Sequence, residues 1–576
     1  MKTLTHRKSD LFFLTGSGLI NTVVFSFILL SLTFITGHTL AGWHFPMAVF
    51  LSLLLNYFAA KHFLPEEYTG AFLRSTLVIL IIIILSILIA VLFYDITTDG
   101  QMYHLETALL MKAGWNPFKN EIPLNYNQAL WLNHYGKGVE APQAALYALT
   151  NRIESTKATN FMVITGSFCL TMSYLSRLKW FSNRKNILFS ILLAFNPVSF
   201  YQLLSTYVDG QLGSFLLCFI VVAGLIYMDA DRYFLTLLAS ILILLINIKF
   251  TAIVFAAIFT LTMLFIFFIN KRKASFKRAF FVSFFASVFA FGVVGYFPYV
   301  INIVRYHDVL YPGMKVLQFE AAKLSPGNFA TSNRFSKFFT SFFSHTDELK
   351  IYIEKNPRIP PKIPFTINKT DVLNASKPFV VLMAGFGPFF SGICIVAFVL
   401  FFIAGRQHKD WKAWSPVLWM IAGILFSVFI ISEAWYARYV PQLWFVPLAL
   451  LMISEYDCRK SIVRIRYILY GIILLNISFC LASFPYVYYK SAQIRYELEQ
   501  LKATRQIIPI QLTYYTSNRA RFYENNIPYR EDSIPDMNAA HMANSSTKLR
   551  IPAAMPNLPT PWIIKFGDKI YNRAHQ

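Results

Sequence analysis

Within one short stretch the chain places Asp95, Asp99, His104 and Glu106, side-chain types that accept and return protons near neutral pH. They follow directly on Ser75 to Phe93, an almost unbroken run of Leu, Ile and Val, so they emerge where an apolar helix would end. Proton transfer at a membrane boundary is the chemistry they could do. For Asp99 a structural role is equally open. Met102, Leu105, Leu109 and Leu110 are spaced for one face of a helix from Gln101 to Lys112, and Asp99 stands where its N-terminal cap would be. Such a cap is worth about 1 kcal/mol. Gly114 and Pro117 would end that helix.

Three more charged residues interrupt apolar sequence. Asp209, between Tyr207 and Gly210, either marks a solvated turn or dips into a cavity between helices. Lys249 breaks a long apolar run and either snorkels to headgroups or meets an anion. Arg438 has a fork of donors suited to a phosphate, or it bridges to Glu433. Tyr103, Tyr207, Glu433 and Tyr436 stand beside these charges and are expected to contact a substrate.

The elements that must position them are membrane helices. Of the 576 residues, 56% are hydrophobic and 14% charged, where an ordinary soluble domain is about 25% charged. The pattern predicts an all-α polytopic membrane protein with thirteen helices, near 16–36, 42–60, 74–94, 157–176, 186–205, 211–229, 233–248, 251–270, 278–303, 377–404, 413–432, 438–454 and 466–486. Lys2, Arg7 and Lys8 ahead of the first read as an uncleaved signal anchor. Lys and Arg collect in alternate short loops, at 177–185, 271–278, 406–412 and 459–466, and basic residues resist translocation. That bias puts loops 95–156 and 304–376 and the tail 487–576 outside an inner (plasma) membrane. The net charge of +23 is scattered between apolar runs, which does not make a nucleic-acid surface. The five cysteines fall in spans or on the cytoplasmic side and imply no disulfide framework.

On these residues the sequence resembles the GT-C superfamily of integral-membrane glycosyltransferases, the group of protein mannosyltransferases and lipid A aminoarabinose transferases. Asp99 with Tyr103 and His104, Gly114 to Phe118, Asn196 and Pro197 with Asp209, Lys249, Asp308 to Pro312, and Ala437 to Val440 match its pattern across roughly residues 74–454. The resemblance implies a GT-C-like core at 74–486, preceded by a two-helix extension at 1–73 and followed by a small extracytoplasmic α/β segment at 487–576. It implies an inverting transfer of sugar from a polyprenyl-phosphate donor to an envelope glycan, lipid or protein acceptor. Asp99 would be the base, Asp209 would orient the acceptor or stabilise positive charge developing on the sugar ring, His104 and Glu106 would be further proton carriers, and Lys249 and Arg438 would hold the phosphate. A lone Asp99 where relatives carry adjacent acids leaves a divalent metal open, since one carboxylate binds such a cation poorly. A secondary transporter and a polymerase or ligase of polyprenyl-linked glycans are the competing readings. Matched halves with broken helices, the mark of many transporters, are not visible.

Overall fold

A computed structural model describes residues 4–313, 329, 332–346, 359–375, 381, 384–406, 411–552, 555–556 and 558–571. The chain is mostly helical. In order come α1 (Leu4–Ile35), α2 (His44–Phe63), α3 (Tyr68–Leu92), α4 (Leu105–Lys112), α5 (Ala129–His134), α6 (Glu140–Thr150), α7 (Ala158–Leu178), α8 (Asn183–Ala194), α9 (Pro197–Tyr201), α10 (Asp209–Met228), α11 (Arg232–Ile248), α12 (Phe250–Ile269), α13 (Lys273–Gly292) and α14 (Ile301–Tyr306). Later helices include Phe390–Gly405, Trp411–Ile430, Phe445–Ser454, Lys460–Leu481 and Ser483–Ala503.

Burial along these helices is the reverse of a soluble bundle. The buried residues of α3 are Ser75, Ile79, Ile83, Ser86 and Ala90, one seam at helical spacing, while Leu77, Ile84 and Leu88 are exposed. In α13 the seam is Ser275, Ala279, Ser283, Ala286 and Ala290, and Phe281, Phe284 and Phe285 face outward. Small residues inside and large apolar ones outside suit a hydrocarbon solvent, where helices associate by close packing. The same rule joins α1 to α7. A side chain at Gly16 would lie 2.9 Å from the Gly166 carbonyl, and the Ser9 hydroxyl donates to the Ser173 carbonyl at 3.0 Å.

Eight helices among the described residues are long and apolar enough to cross a membrane: Lys8–Ile35, Tyr68–Leu92, Ile153–Leu178, Asp209–Met228, Phe250–Ile269, Lys273–Gly292, Lys412–Ile430 and Lys460–Ala503. Arg232–Ile248, Phe390–Gly405 and Pro441–Ser454 are apolar but shorter. The expected thirteen are therefore not reached on length and apolarity, and the reasons are local. The segment 186–205 breaks at Asn196, whose side-chain oxygen accepts from the Val198 N–H and starts α9 afresh. The segment 278–303 ends early, at Gly292, but still supplies one of the eight. The segment 438–454 begins with two turns of 3₁₀ helix before Phe445. Lys249 lies in extended backbone between α11 and α12, so the two helices are separate as expected. Of the expected outer loop 304–376, residues 314–328, 330–331, 347–358 and 376 lie outside the described residues.

After the last long helix the chain builds a four-stranded sheet. Strands β1 (Ile508–Gln511), β2 (Tyr529–Glu531), β3 (Ala540–His541) and β4 (Lys548–Leu549) lie in the order β2-β1-β4-β3, with β1 and β2 parallel and the other pairs antiparallel. Ile494, Leu498 and Leu501, one stripe of the Ser483–Ala503 helix, pack on Ile508, Ile510, Phe522, Met542 and Leu549. This unit sits against the loop that carries Asp99, through contacts described below.

Candidate functional site

Asp99 makes no side-chain cap, although it occupies the cap position of the turn Gly100–His104, so the capping role is not the one its carboxylate plays. The cap fails because the turn winds wide before α4 begins. Gly100 turns back onto Asp95, where any side chain would lie 2.4 Å from the Asp95 Oδ2. That leaves the Asp99 carboxylate free to reach Arg438, whose Nη1 donates to Oδ2 at 3.2 Å.

Asp209 opens α10 and is buried. Its Oδ1 accepts from Lys249 Nζ, its Oδ2 lies 3.9 Å from Arg438 Nε, and Gln202 Nε2 stands 3.4 Å away. Gln202 is itself fixed, its Oε1 accepting from the Gly210 N–H at 2.7 Å. Two carboxylates and two cations, chosen from four distant parts of the sequence, thus form one chain of contacts: Asp99, Arg438, Asp209, Lys249. The side chains are 26%, 13%, 6% and 7% exposed in that order, so the cluster opens at Asp99. Aromatic faces line it. The Arg438 guanidinium lies 5.1 Å from the Tyr207 ring and 5.3 Å from Tyr439, and Lys249 Nζ lies 5.1 Å from Tyr439. The anticipated bridge from Arg438 to Glu433 does not form. Glu433 instead accepts from the Trp435 indole, and Tyr436 packs with Trp435 and Phe329 in a separate small core.

The other sequence candidates divide. Tyr103 stacks on Trp131 at 5.7 Å and borders Tyr135, beside the cluster. His104 Nδ1 is 2.8 Å from Glu140 Oε1, and the imidazole lies 6.3 Å from the Tyr207 ring. Glu140 also meets Lys137 at 2.7 Å, giving a buried pair behind the imidazole. Glu106 points elsewhere. It accepts from the Tyr126 hydroxyl and pairs with Arg519 of the tail, and burial, opposed by Arg519 and Tyr126, pushes its carboxyl above the usual range. None of these contacts joins it to the Asp99–Arg438–Asp209–Lys249 chain.

Several residues given no site role from the sequence hold the site together. Asp95 is buried, and its Oδ2 accepts from the Thr206 N–H and hydroxyl, both at 2.7 Å, tying the Asp99 stretch to the stretch that carries Tyr207 and Asp209. Gly136 and Gly138 lie so close to the Asn247 carbonyl that a side chain at either would come within 2.5 and 2.8 Å, and the Gly138 N–H donates to it at 2.8 Å. This contact fixes the chain two residues before Lys249. The two glycines flanking Lys137 were the signal available in the sequence.

The donor set is a poor match for a divalent cation, because each carboxylate of the cluster already faces a cation. Among the described residues no three His, Cys, Asp or Glu side chains gather as a metal site. Compared with known proteins, the chain matches no family model and no curated protein.

Proposed function

We propose that the chain is a membrane glycosyltransferase that moves a sugar from a polyprenyl-phosphate donor to an acceptor hydroxyl on the extracytoplasmic side. The observation that carries this reading is the joining of Asp99, Arg438, Asp209 and Lys249 in one partly open cluster at the ends of apolar helices. On this reading the bundle is GT-C-like, the three shorter apolar helices also cross the bilayer, and basic-loop bias sets the sidedness. Nucleotide sugars are kept in the cytoplasm, so an outward-facing site must draw on a carrier that already spans the membrane.

In the proposed reaction the donor phosphate enters between Lys249 and Arg438, which exchange part of their contact with Asp209 and Asp99 for phosphate oxygens. The acceptor oxygen attacks the anomeric carbon from the opposite face. The carbon–phosphate-oxygen bond breaks, its electron pair leaves on the polyprenyl phosphate, and the two cations balance the charge that grows there. Release of Arg438 from Asp99 leaves a carboxylate free to take the acceptor's proton, which then passes to solvent. Asp209 stays with Lys249 and faces the positive charge developing on the sugar ring. One displacement inverts the anomeric centre and needs no enzyme nucleophile. His104, held by Glu140, stands by as a second proton acceptor.

The test uses the full chain in nanodiscs with a panel of polyprenyl-phosphate sugars, scoring release of free polyprenyl phosphate and the anomeric configuration of the product. The proposal expects release with inversion, and a loss of about 10²-fold to 10⁴-fold in Asp99→Asn. Release at the wild-type rate in Asp99→Asn and Asp209→Asn alike, or uptake of a solute without any bond broken, rejects it.

A further inference from the structure

Asp99 lies on a short bridge of chain, and the tail grips that bridge at both ends. Before Asp99, Arg521 reaches in from the helix Arg519–Glu524, 2% exposed, and its Nη2 donates to the Asp95 carbonyl at 2.6 Å. The same guanidinium donates to Glu154 Oε1 at 2.9 and 3.2 Å, while Glu154 Oε2 accepts from the Asp95 N–H at 2.8 Å. Both backbone groups of Asp95 are thereby held in a closed ring through Arg521 and Glu154. Lys157 completes it, pairing with Glu154 and donating to the Phe93 carbonyl at 2.8 Å. After Asp99, the Gln101 carbonyl accepts from the Ser517 hydroxyl at 2.7 Å, Gln101 Nε2 donates to the Asn544 carbonyl at 3.1 Å, and Gln101 Oε1 lies 3.4 Å from Arg521 Nη1. Arg519 then holds Glu106 one turn further on. Every one of these tail residues lies more than four hundred positions from its partner in the first loop, except for the Glu154 pairing.

We infer that the tail is part of the site: Arg521 is a positioning residue that acts through Asp95 and Gln101 to hold Asp99 at Arg438. The tail does meet the loop through apolar contacts, Ala520 with Leu105 and Ile153 and the tail core with Tyr94 and Ile96, and a plain structural appendage would need little beyond them. Here a fully buried guanidinium, costly to desolvate unless completely paired, is spent on the backbone on one side of a single carboxylate. The grip also reaches the far wall, because the Asp95 carboxylate holds Thr206 in the stretch that leads to Asp209. The inference rests on the proposed role of Asp99, but its geometry can be read without any turnover.

The experiment compares the full chain with Arg521→Lys, Arg521→Met and Ser517→Ala in nanodiscs, with Arg530→Ala as control. Arg530 pairs with Asp532 on the exposed tail surface at 3.0 Å, away from the loop. Amide exchange is followed over residues 95–106, and kcat and KM for the polyprenyl-phosphate sugar are measured separately. Arg521→Met is expected to speed exchange at 95–106 by at least about ten-fold, and to lower kcat by about 100-fold with donor KM nearly unchanged, the signature of a misplaced group. Arg521→Lys should fall between, and Ser517→Ala should speed exchange locally at 101–104. Should Arg521→Met fail to fold, Ser517→Ala and Arg521→Lys carry the test. Unchanged exchange at 95–106 in those variants, or a rise in KM with kcat intact, overturns the inference. If wild type releases no polyprenyl phosphate, the proposed reaction fails while the exchange result still decides the grip.

Discussion

Two clusters in this molecule are built from the same kinds of residue and behave differently. One joins Asp99 and Asp209 to Arg438 and Lys249; the other joins Asp95 and Glu154 to Arg521 and Lys157. In the second, each cation pairs with a carboxylate and also donates to a backbone carbonyl, and both Glu154 oxygens are engaged. Nothing there is left to offer a ligand. In the first, among the described residues, Arg438 Nε makes no hydrogen bond and lies 3.9 Å from Asp209, and Asp99 is held by one contact at 3.2 Å. Saturation by backbone partners marks a joint, and the long contacts of the Arg438 guanidinium to two carboxylates mark a group that can exchange partners with a substrate.

The largest expected effects set the two clusters against each other. Glu154→Gln leaves Lys157 and Arg521 buried without their carboxylate and is expected to cost roughly 3–5 kcal/mol of stability. Asp99→Asn, at the open end, should cost under about 1 kcal/mol while removing nearly all transfer activity. Thermal unfolding in detergent and release of polyprenyl phosphate, measured on both variants, give the comparison. A strongly destabilised Asp99→Asn with residual activity equal to that of Glu154→Gln would erase the distinction.

A sharper version uses the two arginines. Lysine keeps a charge but loses the fork that serves two acceptors. At Arg521 those acceptors are the Asp95 carbonyl and Glu154, so Arg521→Lys should lower stability by about 1–3 kcal/mol. At Arg438 the matching variant should leave unfolding nearly unchanged and raise the KM for the donor by roughly ten-fold, one lost charge-assisted bond to phosphate. The reverse pattern would assign the joint to Arg438.

Much of the first cluster was legible in the sequence, and of the second only Asp95, as one acid among several. Asp209, Lys249 and Arg438 interrupt apolar runs, and an ionisable residue in such a run costs enough to draw notice. Asp99 drew notice as one of several acids at a helix end. Arg521 and Glu154 lie in ordinary polar sequence, where charge carries no such signal, and only the packing of the tail on the loop buries them. The pairing of Glu106 was hidden for the same reason: its partner Arg519 is supplied from the tail. Helix existence was legible from apolar runs, whereas the interruptions at Asn196 and after Gly292 depend on side-chain capping and packing that periodicity does not register.

Gly100 connects the two clusters and gives an intermediate effect. A methyl group there would lie 2.3 Å from the Thr97 hydroxyl and 2.4 Å from Asp95 Oδ2. Neither can retreat easily, since Asp95 also binds Thr206 and Thr97. Gly100→Ala is therefore expected to cost about 1–3 kcal/mol and to loosen Asp99 as well. Faster amide exchange across 95–106 together with reduced transfer is the expected result; a stable, fully active Gly100→Ala would show that the Asp95 joint does not govern Asp99.

The smallest effect concerns pH at the edge of the joint. Glu524 accepts from the Ile153 N–H at 2.7 Å, next to Glu154. Burial pushes its carboxyl up to about 7, with the Glu154 charge adding to the shift and the Ile153 N–H opposing it. The raised value means that between the ordinary carboxylate range and about 7 the folded protein binds more protons at this position than the unfolded chain does. Its contribution to stability is accordingly full below the ordinary range and is lost as pH rises through about 7. The seam between the tail and the first loop should thus open more readily at mildly alkaline than at mildly acidic pH, read as faster exchange of the Ile153 amide after correction for intrinsic rates. Glu524→Gln, which keeps an acceptor for that amide without the titration, should flatten the dependence. A pH dependence that persists in Glu524→Gln would place the titrating group elsewhere, and one that appears at Asp99 but not at Ile153 would move it from the joint to the open cluster.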